Sequence, residues 1–201
     1  MEIVQLTCTS DSVAQLADLL RETVAAGGSV SFMHPLAPEV AAAFWTRSLT
    51  AADAGERVVF GALDDDQHIV ATVTLLLDCP PNQPHRAEVA KMMTRVDNRG
   101  QGIARALMIE LERIAVERGR SLLTLDTAED EGAGPFYEKL DFIRAGVIPD
   151  YALKPHGGLC GTIIYWKRIG TAAPRSGTGS EATLAATVGP VAPAGAAGQP
   201  R

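Results

Sequence analysis

The chain of 201 residues is 46% hydrophobic, enough for one sizeable core and too short for a second domain of similar size. A net charge of −6 and a pI near 5.2 argue against a nucleic-acid partner, whose electrostatic footprint is normally basic, and suit a cationic small molecule better than a polyanion. The cysteines Cys8, Cys79 and Cys160 are widely separated and show no C-x-x-C spacing, so they indicate neither a disulfide framework nor a zinc site, and no metal is expected.

The opening residues lack the basic n-region and long apolar stretch of a signal peptide, and no segment reaches the length of a membrane span. The expectation is a cytoplasmic protein with no membrane partner. Ile3, Val4 and Leu6 predict a short first strand. Thr9-Ser10-Asp11 can cap a helix over 10–26, with Val13, Leu16, Leu19, Leu20 and Val24 on one face and Gly27-Gly28 as its stop. Residues 29–35 are neither helical nor alternating in pattern. That loop, with Ser31 and Phe32, either lines an acceptor pocket or is an ordinary connection to a second helix over 38–49.

Residues 57–63 and 68–77 read as a hairpin around the acidic turn Asp64-Asp65-Asp66, whose spacing does not fit a calcium loop. A proline-rich connection then leads to a strand over 87–96, the glycine-bearing turn Asp97-Asn98-Arg99-Gly100-Gln101-Gly102, and a long helix. That helix carries Ile103, Leu107, Leu111 and Ile114 on one face and ends near Gly119. A strand over 121–127 completes a βαβ unit with parallel strands. A short helix entered around Pro135, a strand beginning over 141–148 and a strongly β-prone strand over 161–167 follow. Residues 171–201, rich in Ala, Gly, Pro, Ser and Thr, predict a disordered tail that cannot bury enough surface to offset its ordering entropy. The domain is thus expected over 1–170.

Strand, glycine turn and helix in succession make an anion site, because the glycines admit close backbone approach and the helix start presents unpaired N–H groups. A dinucleotide fingerprint would need a third glycine where Ile103-Ala104-Arg105 stands, and a P-loop would need Lys-Ser or Lys-Thr in the helix. Neither fits.

Arg99-Gly100-Gln101-Gly102-Ile103-Ala104 resembles the R-x-x-G-x-G/A pyrophosphate loop of the GNAT acetyltransferase superfamily. Ala133-Gly134-Pro135-Phe136-Tyr137-Glu138-Lys139-Leu140-Asp141-Phe142 resembles its second signature, with Asp141 where glycine is usual. The Pro-His-Arg-Ala-Glu-Val-Ala-Lys-Met-Met and Leu-Leu-Thr-Leu-Asp-Thr runs, with the loop Gly-Gly-Ser-Val-Ser-Phe-Met-His-Pro-Leu, are similar to the tabtoxin-resistance acetyltransferase group. The resemblance covers about 1–170. It implies an α/β (α+β) GNAT fold: a central mixed, mostly antiparallel twisted sheet of six to seven strands and about four helices. A parallel pair of strands would diverge at the acetyl-CoA cleft.

By that resemblance acetyl-CoA is the co-substrate, its pyrophosphate lying on the amides of Gly100, Gln101, Gly102, Ile103, Ala104 and Arg105 with Arg99 nearby. The preceding strand would carry a bulge, main-chain groups of Met92, Met93 and Thr94 would pair with the pantetheine arm, and the Met93 N–H would hold the thioester oxyanion. Glu88 and Asp126 are the candidate carboxylates at the acceptor amine, either acting as base directly or through water or serving only to bind the cation. Tyr137 would protonate the departing thiolate, with Phe136 expected in the core. No cysteine is expected to carry an acetyl group, so transfer is direct.

The function implied is N-acetylation of a small-molecule amine, such as an amino-acid-like toxin or antibiotic, giving self-protection or resistance, by a monomer or homodimer. A protein N-terminus, a polyamine or an aminoglycoside as acceptor, or a non-catalytic acyl-CoA-binding module, are the alternatives.

Overall fold

The computed structural model describes residues 1–130 and 132–170; the tail expected over 171–201 lies outside them. Strand β1 (Glu2–Gln5) leads into helix α1 (Ser10–Ala25). Its cap is Thr9, whose hydroxyl accepts the Ser12 N–H at 3.1 Å. Leu16, Leu19, Leu20 and Val24 recur at helical spacing and are fully buried. Helix α2 (Pro38–Asp53) starts on Pro38, which needs no N–H at that position, and packs Trp45 and Leu49 beside α1. It runs a turn beyond the expected end because Ala51 and Ala52, which carry no apolar periodicity, are strong helix formers.

Strands β2 (Arg57–Leu63) and β3 (Ile69–Leu76) form the expected hairpin. In its acidic turn the Asp64 carboxylate accepts the N–H groups of Asp66 at 3.0 Å and His68 at 2.8 Å, so the aspartate closes the turn. Strand β4 (Arg86–Thr94), a 3₁₀ turn (Val96–Asn98), helix α3 (Ile103–Glu117) and strand β5 (Leu122–Ala128) make the βαβ unit. Helix α4 (Gly134–Glu138) and the hairpin of β6 (Ile143–Leu153) and β7 (Leu159–Arg168) complete the described chain.

The strands form one seven-stranded sheet in the order β1-β2-β3-β4-β5-β7-β6, antiparallel throughout except for the β4–β5 pair. One face carries α3, whose Leu107, Met108 and Leu111 are wholly buried in the larger core with Phe60, Leu75 and Leu123. Truncating any of these to alanine costs roughly 2–5 kcal/mol by transfer and cavity formation. The other face carries α1 and α2 over a smaller core that includes Val59, Ile69 and Met93.

Strand β6 is longer than expected, and Pro149 with Asp150 (φ +51) sits at its register irregularity. As the edge strand it needs no N–H from Pro149 on its outer side, so the proline that masks the strand in the sequence is tolerated.

Candidate active site

The parallel pair is short: Arg86 pairs with Leu122, Ala87 with Leu123 and Glu88 with Thr124, and there the pairing stops. Beyond it β4 stays with β3 and β5 stays with β7, so the sheet opens into a V. The cause on the β4 side is a bulge. Ala90 pairs with Thr74 and Met93 with Thr72, so Lys91 and Met92 together face the single residue Val73, and Lys91 takes the left-handed φ of +52°. The extra residue also resets the side-chain alternation: Val89 and Met92 both pack on the larger core, whereas Met93 is buried in the smaller one.

The resulting cleft has a volume of about 740 Å³ and is lined on one side by residues 89–94 and on the other by Asp126, Thr127, Ala128 and Tyr137. The α1–α2 loop contributes Ser29, Val30 and Ser31. That loop is tied to the β6–β7 hairpin, where the His34 N–H donates to Pro155 O at 2.8 Å and the rings of His34 and His156 lie 4.6 Å apart.

At its other end the cleft runs into a second hollow of about 360 Å³, sharing Thr94, Arg99, Ala104 and Phe136 with it. Here Gly100 (φ +75) and Gly102 (φ +79) turn the chain into α3. A Cβ on either would meet nothing, so glycine is required by backbone conformation alone. Gly102 is the N-cap, no side chain caps the helix, and its first turn holds no acidic residue. The first intrahelical bond runs from Ala106 N to Gly102 O, which leaves the amides of Ile103, Ala104 and Arg105 without helical partners. With Arg99, Arg105 and Lys139 around them, these groups fit a pyrophosphate. Gln101 adds only its backbone, because its side chain donates to Asp97 O at 3.2 Å. Lys139, which stands in the second signature, is a cation to which the sequence assigned no role.

Tyr137 is buried, its ring packed 5.1 Å from Phe136, 5.9 Å from Phe142 and 6.1 Å from Tyr165, while the residue still lines the cleft. Burial, assisted by the Asp126 charge, pushes its phenol up to about 12. The expected division between neighbours holds only in part: Tyr137 lines the cleft as expected but is the more deeply buried of the two, whereas Phe136 packs half-buried against the larger core and borders both hollows. A five-residue helix is too short for periodicity to assign an inner face.

Asp126 is exposed in the cleft and accepts the Thr162 hydroxyl at 3.2 Å. Glu88 points from the same face of the sheet but is not part of the cleft wall. Arg86 holds it at 3.2 Å while also donating to Thr124 at 2.9 Å and Gln83 at 2.7 Å. The two carboxylates are therefore unequal. Ser31 reaches the cleft, whereas Phe32 stands edge-on to Phe44, 5.2 Å away, against the smaller core.

Met92, Met93 and Thr94 all line the cleft, on the β4 edge that lacks a neighbouring strand. The Arg95 N–H donates to Val70 O at 2.9 Å. Amides alternate sides along a regular ladder, so the Met93 N–H is aimed at β3 and the Thr94 N–H at the cleft. The amide open to the cleft is therefore that of Thr94 or one at the bulge, and not that of Met93 as expected.

Two further residues were not singled out from the sequence. Cys160 lines the cleft at its β7 side, with its thiol donating to Asp130 at 3.1 Å. Lys91 lines it at the bulge, and its ammonium donates to Ser31 Oγ at 3.1 Å. Burial pulls the Lys91 pKa down, opposed by the charges of Asp126 and Glu88. Alternating strand patterns give no signal for a left-handed residue at a bulge.

Among the described residues no group of three His, Cys, Asp or Glu side chains could hold a metal, and no helix is long and apolar enough to cross a membrane.

The acetyltransferase (GNAT) family matches residues 18–142, more than half of the chain. Among solved structures, the ribosomal-protein-alanine N-acetyltransferase of Brucella melitensis superposes with a TM-score of 0.72 at 17% identity, covering 84% of this chain and 100% of that one. An N-acetyltransferase of Staphylococcus aureus Mu50 does so at 0.70 and 15%, covering 84% and 99%. An aminoglycoside 6'-N-acetyltransferase complexed with coenzyme A does so at 0.67 and 20%, covering 86% and 99%. At these identities the likeness is one of fold.

Proposed function

Because the chain belongs to the acetyltransferase (GNAT) family, acyltransferases that draw on acetyl-CoA, we propose that it transfers the acetyl group directly to the amine of a small molecule. The acceptor class we favour is an amino-acid-like toxin or antibiotic, in line with the sequence resemblance to the tabtoxin-resistance group. The observation that carries the reading is the continuous trough from the uncapped start of α3, along the unpaired edge of β4, to Asp126 and Tyr137.

Bound acetyl-CoA supplies an activated acyl group whose thioester carbonyl gains negative charge during attack. The residues of the chain hold and orient it. Amides 103–105 with Arg99, Arg105 and Lys139 take the pyrophosphate, and the β4 edge at 92–94 pairs with the pantetheine arm as a strand would. A cleft-facing β4 amide, that of Thr94 or one at the bulge, stabilises the oxyanion.

An amine arrives as an ammonium ion and must lose a proton before attack. Asp126 is the better-placed partner, since among the described residues no cation contacts its carboxylate directly, whereas Glu88 is engaged by Arg86. Glu88 then acts on the acceptor through water or through Arg86.

Tyr137 stays protonated at neutral pH. Its raised pKa lies above the value of about 8.5 for an ordinary thiol, so the phenol works as a hydrogen-bond donor to the leaving sulfur. It passes a proton on only as the acceptor nitrogen replaces it.

The test is to incubate the protein with acetyl-CoA and a panel of small amines that includes amino acids, and to follow thiol release. Turnover of a subset is expected. Absence of turnover with every amine, alongside measurable acetyl-CoA binding, would favour a non-catalytic acyl-CoA-binding module instead.

A further inference from the structure

The cleft holds a positive charge that an acceptor bearing only an amine does not explain. Lys91 Nζ has three N–H donors; Ser31 Oγ takes one at 3.1 Å, and the centroid of the Phe44 ring lies 5.7 Å away. Among the described residues Lys91 forms no salt bridge, although Asp126 and Glu88 both lie close enough for their charges to act on it. Glu88 is occupied by Arg86 at 3.2 Å, and Asp126 by the neutral Thr162 hydroxyl at 3.2 Å.

The cleft thus presents a cation and an anion from opposite walls, close enough to feel each other and too far apart to pair. The backbone is bent to produce this. Lys91 occupies the left-handed region at φ +52 and its partner Ser31 does so at φ +73, conformations that non-glycine residues adopt only at a cost.

We propose that Lys91 binds the carboxylate of the acceptor while Asp126 receives its amine, so that the acceptor is an amino acid or a close analogue with a free carboxyl group. This rests on the N-acetyltransferase reading and narrows it. A zwitterion satisfies both charges of the cleft at once, and it leaves the amine on the Asp126 side, the wall that also carries Tyr137. The Ser31 hydroxyl, held by Lys91, is a second donor for the carboxylate. A partly buried ammonium loses hydration, and an anion bound beside it restores the lost stabilisation of its charged form. The competing role for Lys91 is that of a neutral base for the amine.

Equilibrium binding separates the two roles. Free amino acids, their carboxamides and the corresponding amines without a carboxyl group would be titrated calorimetrically into the protein loaded with coenzyme A, for wild type, K91Q and K91R. Circular dichroism and melting would check that each variant is folded.

The expected result is that wild type binds at least one amino acid ten-fold or more tighter than its carboxamide. K91Q should bind acid and amide alike, and K91R should recover part of the preference. Steady-state kinetics should show the K91Q defect in KM for the amino acid.

No carboxylate preference in wild type, or a preference that survives in K91Q, would overturn the proposal. A loss of kcat in K91Q for acids and amides alike would overturn it in favour of the base. Turnover of amines without any carboxylate preference would leave the N-acetyltransferase reading intact while removing this one.

Discussion

Arg95 Nη1 stands 2.6 Å from Glu22 Oε2, and the contact ties the end of β4 to the last turns of α1. The same carboxylate accepts the Val96 N–H at 3.0 Å, while Arg95 Nε donates to Ile69 O at 3.1 Å. One glutamate therefore fixes where the chain leaves the cleft wall for the glycine turn. Glu22→Gln should lower stability by about 1 kcal/mol, since charge-assisted bonds at a part-buried site are replaced by weaker ones. Urea denaturation measures it; an unchanged midpoint would mean that packing alone holds the junction.

Tyr137→Phe keeps the ring among Phe136, Phe142 and Tyr165 and removes only the hydroxyl. Thiol release should slow by roughly two orders of magnitude, the scale of a lost acid–base partner, with acetyl-CoA affinity nearly unchanged. Equal losses in both would assign the tyrosine to packing.

The Tyr137 phenol also sets an alkaline limit. Its folded pKa of about 12 exceeds the ordinary tyrosine value of 10.0, so the folded state binds this proton more tightly than the unfolded chain does. The stabilisation is complete below about pH 10 and is lost as pH rises towards 12, by roughly 2–3 kcal/mol at one pKa unit per 1.4 kcal/mol. Between about pH 10 and 12 wild type should lose stability that Tyr137→Phe does not, so the two melting curves differ in slope across that window. Parallel curves would show that another group dominates.

Gly102→Ala places a Cβ in open space at φ +79, so its cost is conformational. Stability should fall by about 1 kcal/mol, and acetyl-CoA should bind several-fold more weakly as the start of α3 relaxes towards an ordinary helix entry. Calorimetric titration decides; unchanged affinity would mean that the cradle does not depend on this turn.

The glycine turn, the length of α3 and the β2–β3 hairpin were legible in the sequence because each is written in local chemistry: φ-permissive glycines, a 3.6-residue apolar stripe, and alternation around an aspartate turn. The V-shaped opening followed from the family resemblance. Its details were not legible. A bulge changes the count of residues by one, and nothing in Ala90-Lys91-Met92-Met93 marks which residue is extra, so neither the left-handed Lys91 nor the side faced by the Met93 N–H could be read off. The relative burial of Phe136 and Tyr137 was misjudged for a related reason, since a single helical turn has no face that periodicity can define. Asp141 shows the converse. Its φ of +64 explains why glycine is usual at that place in the signature, and aspartate is among the side chains that tolerate it.

The short β4–β5 pairing also bears on how much folded protein a cell would hold. With only three residue pairs bridging the two strands, a ligand bound along the open β4 edge as proposed would become a structural member of the sheet. Every tenfold rise in saturating acetyl-CoA above its dissociation constant then adds about 1.4 kcal/mol to the native state. The abundance of this protein would rise and fall with the supply of its own donor, a form of metabolic buffering that requires no separate regulatory site.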